Sequence, residues 1–394
     1  MIIVGIDIAK RIHSASIVHQ SGEARGNAIS FHNTNEGFEK LLQHVKRYNP
    51  ENEEVVFGME ATGHYWLALY SRLISEGYTV HVINPIQSDS LRNLYIRQTK
   101  NDLVDSFIIA EVIRFGRFSQ TSLAEPDMLS LRQLCRYRLS LVDSISDLKR
   151  KIITVLDQLF PEYETLFSDI FGQSSKDILS ELTTPEEILA IETDKLAELL
   201  SKSSRGRLGR LKAEQIQDAA RHSFGIKLGV DALTFQIRQL IAQVKFLEEQ
   251  LTDLDSEIEG YYQSFNSTIS TIPGIGKVLG AIIISEIGDI SRFSEPAKLV
   301  AFAGIDPTVK QSGQFTGTKN HMSKRGSPYL RRAIWLASTT AAFHDPVMSE
   351  FYQKKRAEGK PHRTAIGAVC RKMLYVIYAL MKSGLTYSPQ VKQS

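Results

Sequence analysis

Short apolar runs separated by polar turns mark the beginning of the chain. Residues 2–8, 13–19 and 24–31 alternate or run apolar, which predicts three antiparallel strands in a meander. Apolar side chains then recur at helical spacing, which predicts a helix at about 35–47 with Asn35 as a possible cap. The chain therefore opens with a three-stranded sheet followed by a helix.

The pattern continues with two further strands. A fourth strand is predicted at 54–59, a helix from near Thr62 to before Gly77, and a fifth strand at 78–83 that Asn84-Pro85 ends. The order βββαβαβ followed by helices predicts a mixed sheet with covering helices, an α/β fold. This order resembles a ribonuclease-H-like (RuvC-like) domain.

Long helical patterns dominate the middle of the chain. Residues 126–160 predict one helix that Pro161 ends. Residues 231–262 carry four unbroken heptads, which predicts a coiled-coil arm paired with 126–160 or with another subunit. Residues 161–230 between them form a looser, helical insertion. Its basic tract at 201–212 is interpreted as a solvated linker, with nucleic-acid contact as the alternative.

The last third combines a glycine-rich turn with a basic, mainly helical region. Residues 273–276 precede an apolar helix and resemble a helix-hairpin-helix motif, in which Gly274 and Gly276 would let backbone N–H groups approach a DNA phosphate. A polar loop follows from Phe302, and a helix begins at Pro328.

Two more helices are predicted at 343–356 and 363–383. We therefore predict three domains, namely 1–125, 126–265 with the insertion, and a mainly α-helical domain at 266–394.

Composition narrows the class of protein. The chain has 394 residues, 42% hydrophobic and 23% charged, as in a globular protein. Cys135 and Cys370 are far apart and belong to no metal-ligand pattern, so we expect neither zinc nor a disulfide framework, and we expect a reducing cytoplasm. No run approaches 18 apolar residues, so we expect no membrane span.

Positive charge is concentrated near the C-terminus. The formal net charge is only +3, yet thirteen lysines and arginines stand against three acidic residues between Lys310 and Lys372. Such a segment predicts a polyanion partner that is bound through its phosphates. The cations nearest the polar loop are Lys310, Lys319, Lys324, Arg325, Arg331 and Arg332.

Four carboxylates stand at the ends of predicted elements. Asp7 ends the first strand and Glu60 follows the fourth, while Asp102 and Asp105 are three residues apart on one helix face. One such residue alone is commonly a cap or a turn residue. Together they predict a site for Mg²⁺, or Mn²⁺ in its place, suited to phosphodiester chemistry.

These motifs together resemble the DEDD transposases of a large group of bacterial insertion sequences, which includes the Piv-type DNA invertases. The family's N-terminal domain is similar to residues 1–160 through GIDIAK, GMEATGHYW, INP and KNDLVDS. Its transposase domain is similar to 267–384 through IPGIG, FAGIDP, KQSG, SKRGSPYLRRA and AVCRKM. The family's usual Lys-Thr-Asp is Lys100-Asn101-Asp102 here, which keeps the aspartate.

The resemblance implies a serine recombinase of donor and target DNA. The four carboxylates would bind Mg²⁺, and Ser312 in the KQSG match would attack DNA and become joined to a phosphate. It also implies a guide RNA encoded by the element, and a homo-oligomer, dimer or tetramer. The choice of Ser312 as the nucleophile depends on this match, because Ser323 and Ser327 lie nearby and loop serines are commonly turn or cap residues.

Other functions remain open at this point. A RuvC-like DNA endonuclease that uses water would need the four carboxylates but not Ser312, and a site-specific DNA invertase would use the same residues as a transposase. An ATPase of the sugar-kinase or actin type would need a second phosphate loop, which the sequence lacks. A nucleic-acid-binding protein without catalysis is disfavoured by the four carboxylates.

Overall fold

A computed structural model of the protein contains two compact units, Met1–Leu123 and Ala124–Ser394. The three domains predicted above stay a prediction beside this division. The structure describes residues 1–61, 63–83, 88, 102–116, 125–308, 311–312, 315–316 and 321–389, with the backbone alone at 102–103, 311–312 and 315–316.

A five-stranded mixed sheet forms the centre of the first unit. The strand order is β3-β2-β1-β4-β5, with β1 antiparallel to β2 and parallel to β4. This confirms the predicted mixed sheet of a ribonuclease-H-like domain. Its elements are β1 (Ile2–Asp7), β2 (Ile12–His19), β3 (Ile29–His32), α1 (Asn35–Arg47), β4 (Val55–Glu60), α2 (Trp66–Ser75), β5 (Thr79–Ile83) and α3 (Asp102–Phe115).

Alternation along the strands gives the sheet two apolar faces. Ile2, Val4 and Ile6 of β1 pack with α1 and α2, whereas Ile3 packs with α3 on the opposite face. Both faces of the central strands are therefore buried, and so these strands are apolar nearly throughout.

Some predicted boundaries were wrong. The third strand begins at Ile29 rather than at residue 24, because Gly22 and Gly26 turn the chain with φ of +94° and +75°. The N-cap of α1 is Thr34 rather than Asn35, since its hydroxyl accepts from the Gly37 N–H at 3.2 Å.

The helix predicted from Thr62 also starts later. Gly63 has φ of +59° and the helix begins at Trp66. Thr62 itself and the Asn84-Pro85 stop lie outside the described residues.

Helices make up most of the second unit. Two long helices, α4 (Pro126–Leu159) and α9 (Val230–Ser264), enclose four short ones in sequence, and five more helices follow. The short helices are α5 (Gln173–Glu181), α6 (Pro185–Ala190), α7 (Thr193–Ser204) and α8 (Arg210–Arg221), and the later ones are α10 (Lys277–Ile287), α11 (Pro296–Ala303), α12 (Pro328–His344), α13 (Pro346–Ala357) and α14 (His362–Ser383). Short 3₁₀ turns lie at Pro161–Thr165, Ile269–Thr271 and Ile290–Arg292.

Helices α4 and α9 pack side by side in antiparallel orientation. Arg138 donates to Asp255, with one of the two hydrogen bonds at 3.0 Å, and Lys149 pairs with Glu248 at 3.2 Å. Since position 138 faces 255 and position 149 faces 248, the two helices run in opposite directions. The heptads of α9 thus have a partner within the same chain, which is one of the two alternatives that the sequence left open.

Two hydrophobic clusters stabilise this unit. One joins the C-terminal half of α4, the insertion helices α5–α8 and the N-terminal half of α9, while the other joins the opposite halves of α4 and α9 to α10–α14. The tract 201–212 is the corner between α7 and α8, where Arg210 pairs with Asp194 and Glu214. The insertion is therefore a packed helical subregion.

The last elements differ in detail from their predictions. Phe302 belongs to α11 instead of beginning a loop, and the helix predicted at 343–356 begins at Pro346 because α12 runs on to His344. Helix α14 is long and apolar enough to cross a membrane by length and composition. Half of its apolar stretch is buried, and its buried residues belong to the hydrophobic core of this unit.

Candidate active site

The first two predicted carboxylates end neighbouring parallel strands. Asp7 is the last residue of β1 and Glu60 the last of β4, and the preceding residues Ile6 and Met59 are register partners. By strand alternation, Asp7 shares the face of Ile3, which packs against α3. Glu60 faces the same way, because Val56 of β4 packs in that cluster too.

Helix α3 lies directly on this face of the sheet. A Cβ at Gly5 would be 2.1 Å from the Ser106 carbonyl oxygen, and one at Gly58 would be 2.6 Å from Ile113. These two glycines therefore allow a close approach of helix to sheet that no other residue allows. A hydrogen bond of 2.7 Å between the buried hydroxyls of Ser16 and Ser106 fixes the helix against β2.

The direction of α3 brings its first turn to the carboxyl end of β1. Gly5 packs against Ser106 near the helix start, whereas a Cβ at Gly22, in the turn beyond the opposite end of the strand, would be 3.4 Å from the Arg114 guanidinium carbon near the helix end. The helix thus runs antiparallel to β1. Asp105, which is 9% exposed, precedes Ser106. The backbone of Asp102 begins the helix, and its side chain lies outside the described residues.

Polar contacts on this face were not predicted from the sequence. The Ser88 hydroxyl donates to a Glu60 carboxylate oxygen at 2.6 Å. Ser14 and Ser16 occupy alternate positions of β2 among apolar residues, a signal that could have marked this face as polar. Among the side chains that the structure describes, no three His, Cys, Asp or Glu groups lie together as a metal site, and this set does not include Asp102.

Ser312 lies in a β-hairpin of the second unit. Strand β6 (Gln311–Ser312) pairs with β7 (Phe315–Thr316), and Ser312 is opposite Phe315. The base of the hairpin is closed by a bridge between Pro307 and Met322. The Ser312 side chain, Lys310 and Lys319 lie outside the described residues.

The two neighbouring serines have structural hydrogen bonds. Ser323 donates to Asp306 at 2.5 Å. Ser327 caps α12 by accepting from the Leu330 N–H at 3.1 Å, and it donates to Glu286 at 2.8 Å. Both are therefore cap or turn residues, as loop serines commonly are.

The predicted cations and glycines have varied surroundings. Lys324 and Arg325 are exposed, while Arg331 donates to the Ala303 carbonyl at 3.2 Å and Arg332 pairs with Asp143 at 2.8 Å. These two arginines thus have protein partners as well as solvent-facing surface.

The glycines of the IPGIG turn differ from each other. A Cβ at Gly274, which has φ of +96°, would be 2.5 Å from the Ala337 carbonyl of α12. Helix packing therefore accounts for Gly274 without a phosphate. Gly276 caps α10 with open space around its Cα, and a phosphate contact there stays a prediction.

A basic cleft of about 650 Å³ adjoins the hairpin base. Pro307 and Met322 line it, together with Trp335 of α12 and Arg363 and Arg371 of α14. The sequence analysis missed these last three as site residues. The spacing of Arg363 and Arg371, eight residues apart on one helix, could have indicated a shared face.

Neither cysteine is a nucleophile candidate. Burial raises the pKa of the Cys135 thiol to about 12 and that of the Cys370 thiol to about 11. A thiolate is the reactive form, so both side chains are inert near neutral pH.

Comparisons with known proteins give transposase domains in both parts of the chain. Residues 4–161 match the IS110 DEDD domain, described as "Transposase", and residues 266–353 match the domain described as "Transposase IS116/IS110/IS902 family". The chain is 25% identical over 389 residues to the insertion element IS116 uncharacterized 44.8 kDa protein of Streptomyces clavuligerus, covering 98% of this chain and 96% of that protein.

Two further relatives carry names that describe DNA rearrangement. The pilin gene-inverting protein of Moraxella bovis is 24% identical over 392 residues, which is 99% of this chain and 98% of that protein. The mini-circle putative transposase for IS117 of Streptomyces coelicolor is 24% identical over 375 residues, covering 92% and 89%.

Proposed function

Because the chain belongs to the IS110/IS116/IS900 family of DEDD transposases, enzymes that act on DNA, we propose that it cuts and rejoins DNA through a covalent phosphoserine at Ser312. A divalent ion, Mg²⁺ or Mn²⁺, would be held by Asp7, Glu60, Asp102 and Asp105. The observation that carries the proposal is the position of the Ser312 hairpin, whose base forms part of a cationic cleft.

The sheet edge of the first unit where Asp7 and Glu60 lie suits a hard cation. Asp7 and Glu60 end adjacent parallel strands on the face that α3 covers, and the carboxylate oxygens are donors of the kind that Mg²⁺ prefers. The Ser88 hydroxyl would fix the orientation of Glu60, and Asp102 would complete the ligand set from the first turn of α3. When bound, the ion supplies stabilisation of negative charge on the attacking and leaving oxygens.

The serine step conserves the energy of the phosphodiester. A bond forms between Ser312 Oγ and phosphorus while the bond from phosphorus to a deoxyribose oxygen breaks, and the serine proton ends on that oxygen. Attack by a DNA hydroxyl on the phosphoserine reverses these changes and reseals a strand without ATP. The structural hydrogen bonds of Ser323 and Ser327 support the choice of Ser312 over these two serines as the nucleophile.

The cations near the hairpin would hold the phosphates around the cut. Lys324 and Arg325 are exposed, and Lys310, Lys319, Arg331 and Arg332 belong to the same basic segment. Two further properties are proposed from the family resemblance alone, namely an element-encoded guide RNA and a dimer or tetramer. The heptads of α9 support an arm with a role in assembly, the likeness of the Gly274–Gly276 turn to a helix-hairpin-helix motif supports a phosphate contact there, and the cysteine pattern supports a cytoplasmic location.

Site-specific inversion is the second candidate for the product. It is favoured by the alignment with the Moraxella bovis pilin gene-inverting protein, which covers almost all of both chains. Inversion and insertion use the same cutting and joining steps, so they differ in the placement of the DNA sites rather than in the residues that react.

The test is junction formation in cells. One plasmid carries the gene with its native flanks, so that any guide RNA is supplied, and a second plasmid carries candidate target DNA. Circle, insertion and inversion junctions are amplified for the wild type, for Ser312→Ala, and for Ser323→Ala as the matched serine control. We expect no junctions with Ser312→Ala at normal protein levels, and junctions with Ser323→Ala.

Two results would contradict the mechanism. Normal junction frequency with Ser312→Ala would assign attack to water or a DNA 3′-hydroxyl, as in a RuvC-like endonuclease. Full activity of the purified protein in excess chelator would exclude the metal site.

A further inference from the structure

The cleft beside the Ser312 hairpin is strongly cationic. It is lined by Lys324, Arg331, Arg332, Arg363 and Arg371, and no acidic side chain is among the described residues that line it. Its volume of about 650 Å³ lies in the range of sites that enclose a small ligand. A concave surface of this charge suits a phosphate-bearing group that enters it.

Two arginines of this cleft have no partner among the described residues. Arg363 and Arg371 are exposed on α14 and make no hydrogen bond or ion pair with the part of the chain that the structure describes. Eight residues of helix separate them by about 12 Å along the axis, so they can hold different phosphates. Arg331 and Arg332 by contrast have the protein partners described above.

Gly367 lies between them on the same helix and also lines the cleft. Glycine is unfavourable in a helix interior, so its presence there needs a reason. Packing does not supply one, because a Cβ at this position would meet only the Met322 methyl carbon, at 4.0 Å, an ordinary contact. The missing side chain instead leaves space in the cleft.

An aromatic ring completes the site. Trp335 of α12 is partly buried against the core and lines the cleft with Leu336, which is 47% exposed. Stacking on an aromatic ring is the usual way in which proteins hold an unpaired base, since every base has a flat face. In a duplex that face is covered by the neighbouring bases.

We propose that this cleft binds an unpaired nucleotide of the DNA strand next to the cut, with its base on Trp335 and its flanking phosphates on Arg363 and Arg371. The inference rests on the proposed attack by Ser312 and adds the substrate form that this site takes. Thr308, whose backbone N–H donates to the His321 carbonyl at the base of the hairpin, is four residues from Ser312, which limits the distance between them to roughly 14 Å. The enclosed nucleotide would thus be a near neighbour of the attacked phosphate.

The test is binding of the full-length protein to labelled single-stranded DNA, measured by fluorescence anisotropy at several salt concentrations. A duplex of the same sequence and an RNA strand of the same length are the comparison ligands. The cleft variant Arg363→Gln/Arg371→Gln is compared with Lys354→Gln/Lys360→Gln, which removes two exposed charges of the same unit outside the cleft. Gly367→Leu fills the cleft without removing charge.

We expect the cleft variant to bind single-stranded DNA at least tenfold more weakly than its control. The slope of log Kd against log salt should fall by about 1.4, the value for two lost phosphate contacts on a single strand. Gly367→Leu should weaken binding while leaving the salt slope unchanged. Equal affinity of the two double variants would overturn the proposal, as would equal binding of the duplex or tighter binding of the RNA.

Tryptophan fluorescence gives an independent readout. The chain has two tryptophans, and Trp66 is only 6% exposed in the core of the first unit. Quenching by single-stranded DNA should therefore come from Trp335 and disappear in Trp335→Phe, and quenching that persists would overturn the proposal. Ser312→Ala should bind and quench like the wild type, so a failure of the serine mechanism is distinguishable from a failure of the cleft assignment.

Discussion

The contact between β1 and α3 allows a sharp test of the carboxylate site. Gly5→Ala adds a Cβ at 2.1 Å from the Ser106 carbonyl oxygen and 2.4 Å from the Ala110 amide nitrogen. Both obstacles are backbone atoms of one helix, so no side-chain rotation relieves the clash. The helix must move away from the sheet.

The size of the effect follows from these distances. Packed atoms sit about 3.5 Å apart, so α3 must shift by roughly 1 to 1.5 Å, and its first turn carries Asp102 and Asp105 with it. Overpacking of this kind costs about 1–3 kcal/mol, or roughly 4–12 °C in the melting temperature of a unit of this size. A displacement of about 1 Å at a catalytic group can cost about 100-fold in rate.

The assay combines junction frequency with thermal melting of the purified protein. Gly260→Ala is the control, because that glycine lies within α9 and a Cβ there meets nothing within 4 Å. We expect Gly5→Ala to lose about two orders of magnitude in junctions, and Gly260→Ala to keep them. The double variant Gly5→Ala/Ala110→Gly should not recover, since removing the Ala110 side chain leaves both backbone clashes.

Wild-type junction frequency with Gly5→Ala would refute the reasoning. It would mean either that the helix does not approach β1 so closely, or that the carboxylates of α3 do not act at this edge of the sheet. Melting separates these explanations, because only the first predicts an unchanged melting temperature.

Two further predictions concern stability. Arg136→Gln should destabilise the second unit by about 3 kcal/mol in urea unfolding, which is more than we expect for Glu286→Gln. The arginine variant leaves the Glu286 carboxylate, which is 3% exposed, without the bidentate partner that donates to it at 2.7 and 3.1 Å. A larger loss with Glu286→Gln would contradict this. The first unit should lose stability as the pH falls below 6.5. Burial lowers the pKa of His13 from that ordinary value, so the unfolded chain binds a proton more readily than the folded chain does. When unfolding is measured at pH 7.5 and at pH 5.5, His13→Gln should therefore lose less stability between the two pH values than the wild type.

Local patterns predicted the elements well where one face of an element is buried. The heptads of residues 231–262 predicted α9 to within two residues at either end, because a long apolar stripe recurs at every turn. The third strand was predicted too long, since the alternating residues before Ile29 are interrupted by glycines whose positive φ turns the backbone. Alternation alone does not reveal such turns.

The common sheet edge of Asp7 and Glu60 was predictable because it depends on the order of the elements. Asp7 and Glu60 had to share an edge once β1 and β4 were placed parallel in one sheet. The hydrogen bond from Ser88 to Glu60 was not predictable, because it joins residues 28 positions apart with a helix and a strand between them, and periodicity does not specify contacts between single side chains at that separation. The packing of Gly274 against α12 was not predictable either, since that helix begins more than fifty residues later.

By itself the sequence determined the types of the elements, the mixed sheet of the first unit, and the residues able to ligate a metal or bind phosphate. These features follow from periodicity, from the order of the strands and from side-chain chemistry, all of which can be read from short stretches of the chain or from their order. Tertiary structure alone decided that α9 pairs with α4, that Ser323 and Ser327 serve as structural hydrogen-bonding groups, and that Arg363, Arg371 and Trp335 line one cleft. Those outcomes depend on which distant surfaces pack together, and the free energy of such packing is shared among residues that no short stretch of the chain contains.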